Sequence, residues 1–215
     1  MTETTQRIVV SCALGLIGGG ALLAEYFGIH VTPWLAVVVI LGMMVELVLA
    51  FLKQSKKKSL GNKWIIFDVS LAWLILMAVA AYFVGGRPWI VLLLLLIITA
   101  ADIGAWFFGN KLGGDKMWEK LSTGKTWSGQ IAGILCGTFA AVMYGLLGTD
   151  TFMPQLLWIG ISVSLLSQYG DLTASWIKRK IGIKDFGTLL PGHGGILDRF
   201  DGWIYVLPII WLVML

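Results

Sequence analysis

Apolar residues run in seven long stretches, 8–29, 31–52, 64–84, 88–108, 130–149, 152–177 and about 196–215, separated by short polar connections. Each approaches the ~20 residues that carry a helix across ~30 Å of hydrocarbon at ~1.5 Å per residue. Several contain internal glycines, which membrane helices tolerate and which permit close packing. The continuous apolar part of the last stretch, WIYVLPIIWLVML, has only 13 residues. Its helix is therefore expected to begin near Gly195 or Ile196, with Pro208 kinking it. The first stretch follows MTETTQR and imitates a signal peptide, but it continues through Tyr26, Phe27 and Ile29 and reads as an uncleaved first span. The pattern predicts an all-α, polytopic membrane protein of about seven spans. Residues 1–215 form a single membrane domain in this reading, with little motif content in 1–90 and the chemistry in 91–215.

Composition supports the pattern. Hydrophobic residues make up 58% of the 215 residues and charged ones 13%, with 27 glycines. The mean hydropathy is +0.85. So much apolar surface cannot be hidden inside a globule of this size, which excludes a soluble enzyme, a disordered chain and a nucleic-acid-binding domain. The net charge of +4 matters less than its placement. Of the 16 Lys and Arg residues, all but Arg87 fall before the first stretch or in the connections that follow the second, fourth and sixth. Short-loop Lys/Arg bias sets orientation, so the N-terminus and these three connections are expected in the cytoplasm and the C-terminus outside. The lysines at 53–63 read as a solvated loop beside anionic lipid. Cys12 and Cys136 lie inside apolar runs without metal or redox spacing and read as inert.

Acidic residues inside apolar runs are costly and mark polar cavities or pathways. Asp102 precedes the end of its run at Asn110 by eight residues, and Asp171 precedes Lys178 by seven. Both are thus expected near the cytoplasmic side, ~10–12 Å inside their helices. Glu46 and Asp68 read as structural, through interhelical pairing with each other or with lysines. Asp171, Ser175 and Lys178 are spaced i, i+4, i+7 and share a helix face, with Arg179 beside it. The segment IGIKDFGTLLPGHGGILDRFD, residues 181–201, then gathers Lys184, Asp185, His193, Asp198, Arg199 and Asp201 among glycines whose backbone N–H groups can approach an anion. Carboxylate oxygens without usable thiols suit Mg²⁺ rather than zinc. His193 serves equally as a loop hydrogen bonder or a phosphate contact. Residues 121–129, LSTGKTWSG, lack the first glycine and preceding strand of a P-loop, which excludes a Walker ATPase. What remains there is a flexible, glycine-flanked Lys125 placed to meet phosphate.

These residues resemble the C-terminal signature of the CDP-diacylglycerol synthases, or phosphatidate cytidylyltransferases. Ser175, Lys178–Arg179, Lys184–Asp185, Gly187, Pro191, His193–Gly194–Gly195, Asp198–Arg199 and Asp201 match it at every spacing. Residues 101–113 and 122–129 are similar to two further family blocks, so the resemblance covers roughly 95–215. The sequence departs from the pattern at Ala174, Phe186 and Thr123, and is shorter than typical members by one or two N-terminal spans. The resemblance implies transfer of a cytidylyl group from CTP to phosphatidic acid, at the cytoplasmic face of a bacterial inner membrane. It implies Mg²⁺ on Asp171 and Asp198, with room for a second cation. Lys178 joins these two as catalytic. Asp102, Ser122, Lys125, Ser175, Arg179, Lys184, His193 and Arg199 are the expected substrate contacts. Partners implied are the two substrates and membrane lipid, not nucleic acid, with homodimerisation an option. A CTP-dependent polyprenol or phytol kinase, or a small ion transporter using Asp102 and Asp171, are the alternatives. A transporter would not need the charged 181–201 segment.

Overall fold

The computed structural model describes residues 3–55, 63–118, 121–149, 153–190 and 194–215. Its helices are α1 (Glu3–Tyr26), α2 (Thr32–Ser55), α3 (Lys63–Gly85), α4 (Pro88–Leu112), α5 (Trp127–Thr149), α6 (Gln155–Ile181) and α7 (Trp203–Met214). A short antiparallel hairpin, β1 (Lys116–Trp118) and β2 (Ser122–Thr126), joins α4 to α5. Helices α1 to α5 are long and apolar enough to cross a membrane. The protein is thus an integral membrane protein of helical architecture. Helix α6 is 27 residues long but more polar, because Ser164, Ser167 and Gln168 sit on it and are buried.

Two expectations need correction. The last helix starts at Trp203, not near Gly195, and has 12 residues. Residues 194–202 are turns instead: Gly194 takes a left-handed φ of +86°, and glycines at 194, 195 and 202 favour turns over helix. The 121–129 segment is not a loose loop either. Residues 122–126 are a strand, with Lys116 paired to Thr126 and Trp118 to Ser122, so Lys125 stands on an ordered backbone.

The chain divides into two compact units, Met1–Pro88 with Trp176–Leu215, and Trp89–Ser175. In the first, α2 buries Ile40, Met43, Leu47 and Phe51, and α3 buries Leu74, Met77, Ala80 and Val84. These positions recur at three- and four-residue steps, the one-sided stripe along which two helices pack. The end of α3 closes on the start of α2 so tightly that a Cβ on Gly85 would lie 2.8 Å from Pro33 Cα. Trp73 Nε1 on α3 donates to the Ile204 carbonyl of α7 at 2.9 Å. At the α1–α2 turn the buried Glu25 carboxylate accepts the Thr32 amide at 3.0 Å, capping α2.

In the second unit small residues set the helix spacing. A Cβ on Gly104 of α4 would meet Cys136 Sγ of α5 at 2.6 Å, and one on Gly160 of α6 would meet Thr138 Cα of α5 at 2.6 Å. Missing side chains let backbones approach where apolar burial alone gives no preference, as membrane interiors require. Gln168 Nε2 donates to the Gln130 carbonyl at 3.3 Å, tying α6 to α5.

Candidate active site

In the Trp89–Ser175 unit, α4 supplies Asp102, β2 supplies Lys125 and α6 supplies Asp171. Lys125 Nζ lies 2.5 Å from Asp171 Oδ2. Asp102 feels both the Asp171 carboxylate and the Lys125 ammonium. Ser175 Oγ donates to Asp171 Oδ1 at 3.4 Å, one turn further along α6. The three charged residues proposed from separate blocks of sequence are therefore neighbours. Lys125 pairs with Asp171, and Asp102 lies within electrostatic reach of both. Ser122 begins β2, opposite Trp118.

The Trp176–Leu215 part of the other unit holds a second charged cluster. Lys178 Nζ lies 2.8 Å from Asp198 Oδ1, and the two side chains are 11% and 7% exposed. Asp198 Oδ2 accepts the amides of Phe186 at 2.9 Å and Gly195 at 3.1 Å. Gly194 takes a left-handed φ of +86°, which a side chain would strain. It pairs with Leu190 in an isolated bridge. The Lys178 ammonium also stands 5.6 Å over the Phe186 ring. Phe186, a departure from the family pattern, thus walls the buried cation. Arg179 Nη1 donates to the Ile183 carbonyl and closes the end of α6. Lys184 and Arg199 are exposed. His193 lies outside the described residues.

Sequence reasoning missed the amides of Phe186 and Gly195, since backbone groups leave no residue signature. It also misjudged Glu46. Its Oε2 accepts the Leu197 amide at 2.9 Å, rather than meeting Asp68 or a lysine.

Among the described residues no three His, Cys, Asp or Glu side chains converge as a metal cage. Mg²⁺ takes one or two carboxylates and completes its shell with water and substrate phosphates. Asp171 fits such an ion. Its donors are hard oxygens, its side chain is 41% exposed, and its Oδ1 accepts a long bond from Ser175. Asp198 has three partners already, so a cation there would exchange with the Lys178 ammonium.

Comparison with known proteins gives a single picture. Phosphatidate cytidylyltransferase of Staphylococcus aureus (strain COL) is 34% identical over 217 residues, covering 94% of this chain and 79% of that protein. That of Staphylococcus epidermidis (strain ATCC 35984) is 34% identical over 214 residues, with the same coverage. That of Staphylococcus saprophyticus is 39% identical over 126 residues, covering 58% of this chain and 48% of that protein. The profile of the cytidylyltransferase family matches residues 2–215, and the chain belongs to that family.

Proposed function

We propose that this protein is a CTP-dependent nucleotidyltransferase that makes CDP-diacylglycerol and pyrophosphate from CTP and phosphatidic acid. The observation that carries the reading is the 34% identity to phosphatidate cytidylyltransferases over 94% of the chain. The two lysine–carboxylate clusters supply the chemistry. A phosphate oxygen of the lipid attacks the α-phosphorus of CTP, the new P–O bond forms, and the bond to the β-phosphate oxygen breaks to release pyrophosphate. The lipid phosphate is already ionised at neutral pH, so no strong base is needed. The barrier lies in bringing two polyanions together, which positioned cations lower.

Lys125 on its strand is suited to the CTP phosphates, together with Lys184 and Arg199 from the 181–201 segment. Ser122, Ser175, Arg179 and His193 complete the assigned contacts, and Asp102 holds Lys125 in place from α4. From the family resemblance the cation is assigned as Mg²⁺, with Asp171 in one unit and Asp198 in the other each taken as a candidate carboxylate ligand; it would offset the charge that develops on the phosphates. Support for both comes from the family resemblance and the oxygen-only donor chemistry.

The placement of Lys and Arg supports a cytoplasmic N-terminus and a catalytic face toward the cytoplasm of a bacterial inner membrane, where CTP is found. Seven crossings follow if α6 and α7 both traverse the bilayer.

CTP labelled at the α- or the γ-phosphorus tests the reading, in detergent or liposomes containing phosphatidic acid. Cytidylyl transfer puts α-label into the lipid and γ-label into pyrophosphate. Entry of γ-label into lipid would mean a kinase. Uptake of label into sealed empty liposomes without product would mean transport.

A further inference from the structure

We infer that Glu46, on the motif-poor second helix, is a positioning residue for the turn that carries Asp198. This rests on the reading that Asp198 serves cytidylyl transfer. Glu46 is 1% exposed, in a helix long and apolar enough to cross a membrane. A carboxylate there is expensive unless something requires it. Its Oε2 accepts the amide of Leu197, a residue 151 positions away and the immediate neighbour of Asp198. Among the described residues its buried Oε1 has no hydrogen-bond partner.

What surrounds the carboxylate gives the reason for it. A Cβ on Gly187 would lie 2.5 Å from Glu46 Oε1, and one on Gly195 would lie 2.5 Å from Oε2. One turn earlier on α2, a Cβ on Gly42 would lie 2.9 Å from Ile196 Cδ1. Residues 187, 195, 196 and 197 therefore all bear on two consecutive turns of α2. The same short segment presents the Gly195 amide to Asp198 Oδ2. Gly187 directly follows Phe186, whose amide is the other donor to that oxygen. Glu46 thus holds from behind the backbone that holds Asp198 from the front. Phosphoryl chemistry gains most from such fixed geometry, since a displacement of ~1 Å costs about 100-fold in rate.

The test compares Glu46→Ala, Glu46→Gln and Met43→Ala in the full-length protein, in detergent with phosphatidic acid. Met43 is fully buried one turn away on α2, so its truncation weakens the core without removing the seat. Two readouts are taken: kcat and KM for CTP per folded molecule, and hydrogen exchange at the Leu197 amide. Glu46→Ala should lower kcat about 10- to 100-fold with KM for CTP little changed, because geometry and not ligand binding is lost. It should also speed Leu197 exchange. Glu46→Gln keeps a carbonyl acceptor for that amide and should recover most of both. Met43→Ala should lower the melting temperature yet leave kcat per folded molecule and Leu197 exchange near wild type. Wild-type kcat in Glu46→Ala, or a Glu46→Gln no better than Glu46→Ala, would overturn the inference. If the wild-type protein transferred no cytidylyl group, the activity reading would fall on its own. Leu197 exchange would still decide whether Glu46 seats the turn.

Discussion

Replacing Asp198 by Asn should cost stability as well as activity, and the two losses can be separated. The carboxylate accepts one ammonium and two backbone amides. Asn offers one acceptor oxygen and one NH₂ group in the same space. If its oxygen takes the two amides, its NH₂ confronts the Lys178 ammonium, donor against donor. Lys178 is then a charge with an 11% exposed side chain and no counter-ion. Stranding one member of a buried pair costs about 3–5 kcal/mol. For a chain of this size that is a fall of roughly 6–20 °C in melting temperature. Adding Lys178→Met removes the stranded charge and should return most of the stability, because losing both partners is far cheaper than losing one. Activity should not return. If Asp198 serves the proposed cation, its loss should cost on the order of 10²–10⁴ in rate. Tryptophan-monitored melting in detergent and the α-labelled CTP assay read the two effects on the same samples. An Asp198→Asn protein melting within about 2 °C of wild type would refute the buried-pair reasoning. So would a double variant no more stable than the single one.

Three further outcomes follow from other parts of the fold. Lys125→Ala removes a half-exposed ion pair, so stability should change by less than about 1 kcal/mol. KM for CTP should rise about tenfold, the worth of one charge-assisted hydrogen bond, as initial-rate kinetics would show. Gly160→Ala drives a Cβ to 2.6 Å from the Thr138 Cα, and backbone cannot swing aside. The cost should be about 1–3 kcal/mol, seen as a lower melting temperature. Glu25→Gln halves the acceptor set that meets Thr32 and His30. It should cost about 1–2 kcal/mol in the same melt, with kcat per folded molecule unchanged.

The helices could be read from the sequence because apolar runs near bilayer length have few alternatives. Their ends moved by only a few residues, except in α7. There the stretch from Gly195 to Gly202 mixes apolar and polar residues as a helix would, but the glycines that bound it and the left-handed Gly194 before it favour turns. The hairpin was invisible for a different reason. Lys116–Trp118 and Ser122–Thr126 are too short and too polar to show a period of two, and only pairing across the turn makes them strands. Asp102, Lys125 and Asp171 were found singly, each as a charge in an unlikely place. Their meeting depends on glycine-mediated approach of α4, α5 and α6, which no local pattern encodes. Glu46 was seen but misassigned. Its partner is a backbone amide 151 positions away, and amides carry no residue identity to search for.

The Lys125–Asp171 contact also sets a condition of charge balance on what can bind. At rest the Lys125 ammonium is paired with Asp171, and the Asp102 carboxyl feels both charges. Half-exposed, the pair is held by about 1 kcal/mol or less, so a polyphosphate can draw the lysine away cheaply. Doing so leaves the Asp171 carboxylate without its counter-ion and near the Asp102 carboxyl, an arrangement that a cation would relieve. A bare polyanion therefore trades one satisfied pair for an unpaired carboxylate. A polyphosphate that arrives carrying its own cation returns a positive charge as it takes one. On the proposed reading, the cluster would favour a polyphosphate that brings its own cation over the same polyphosphate stripped of metal.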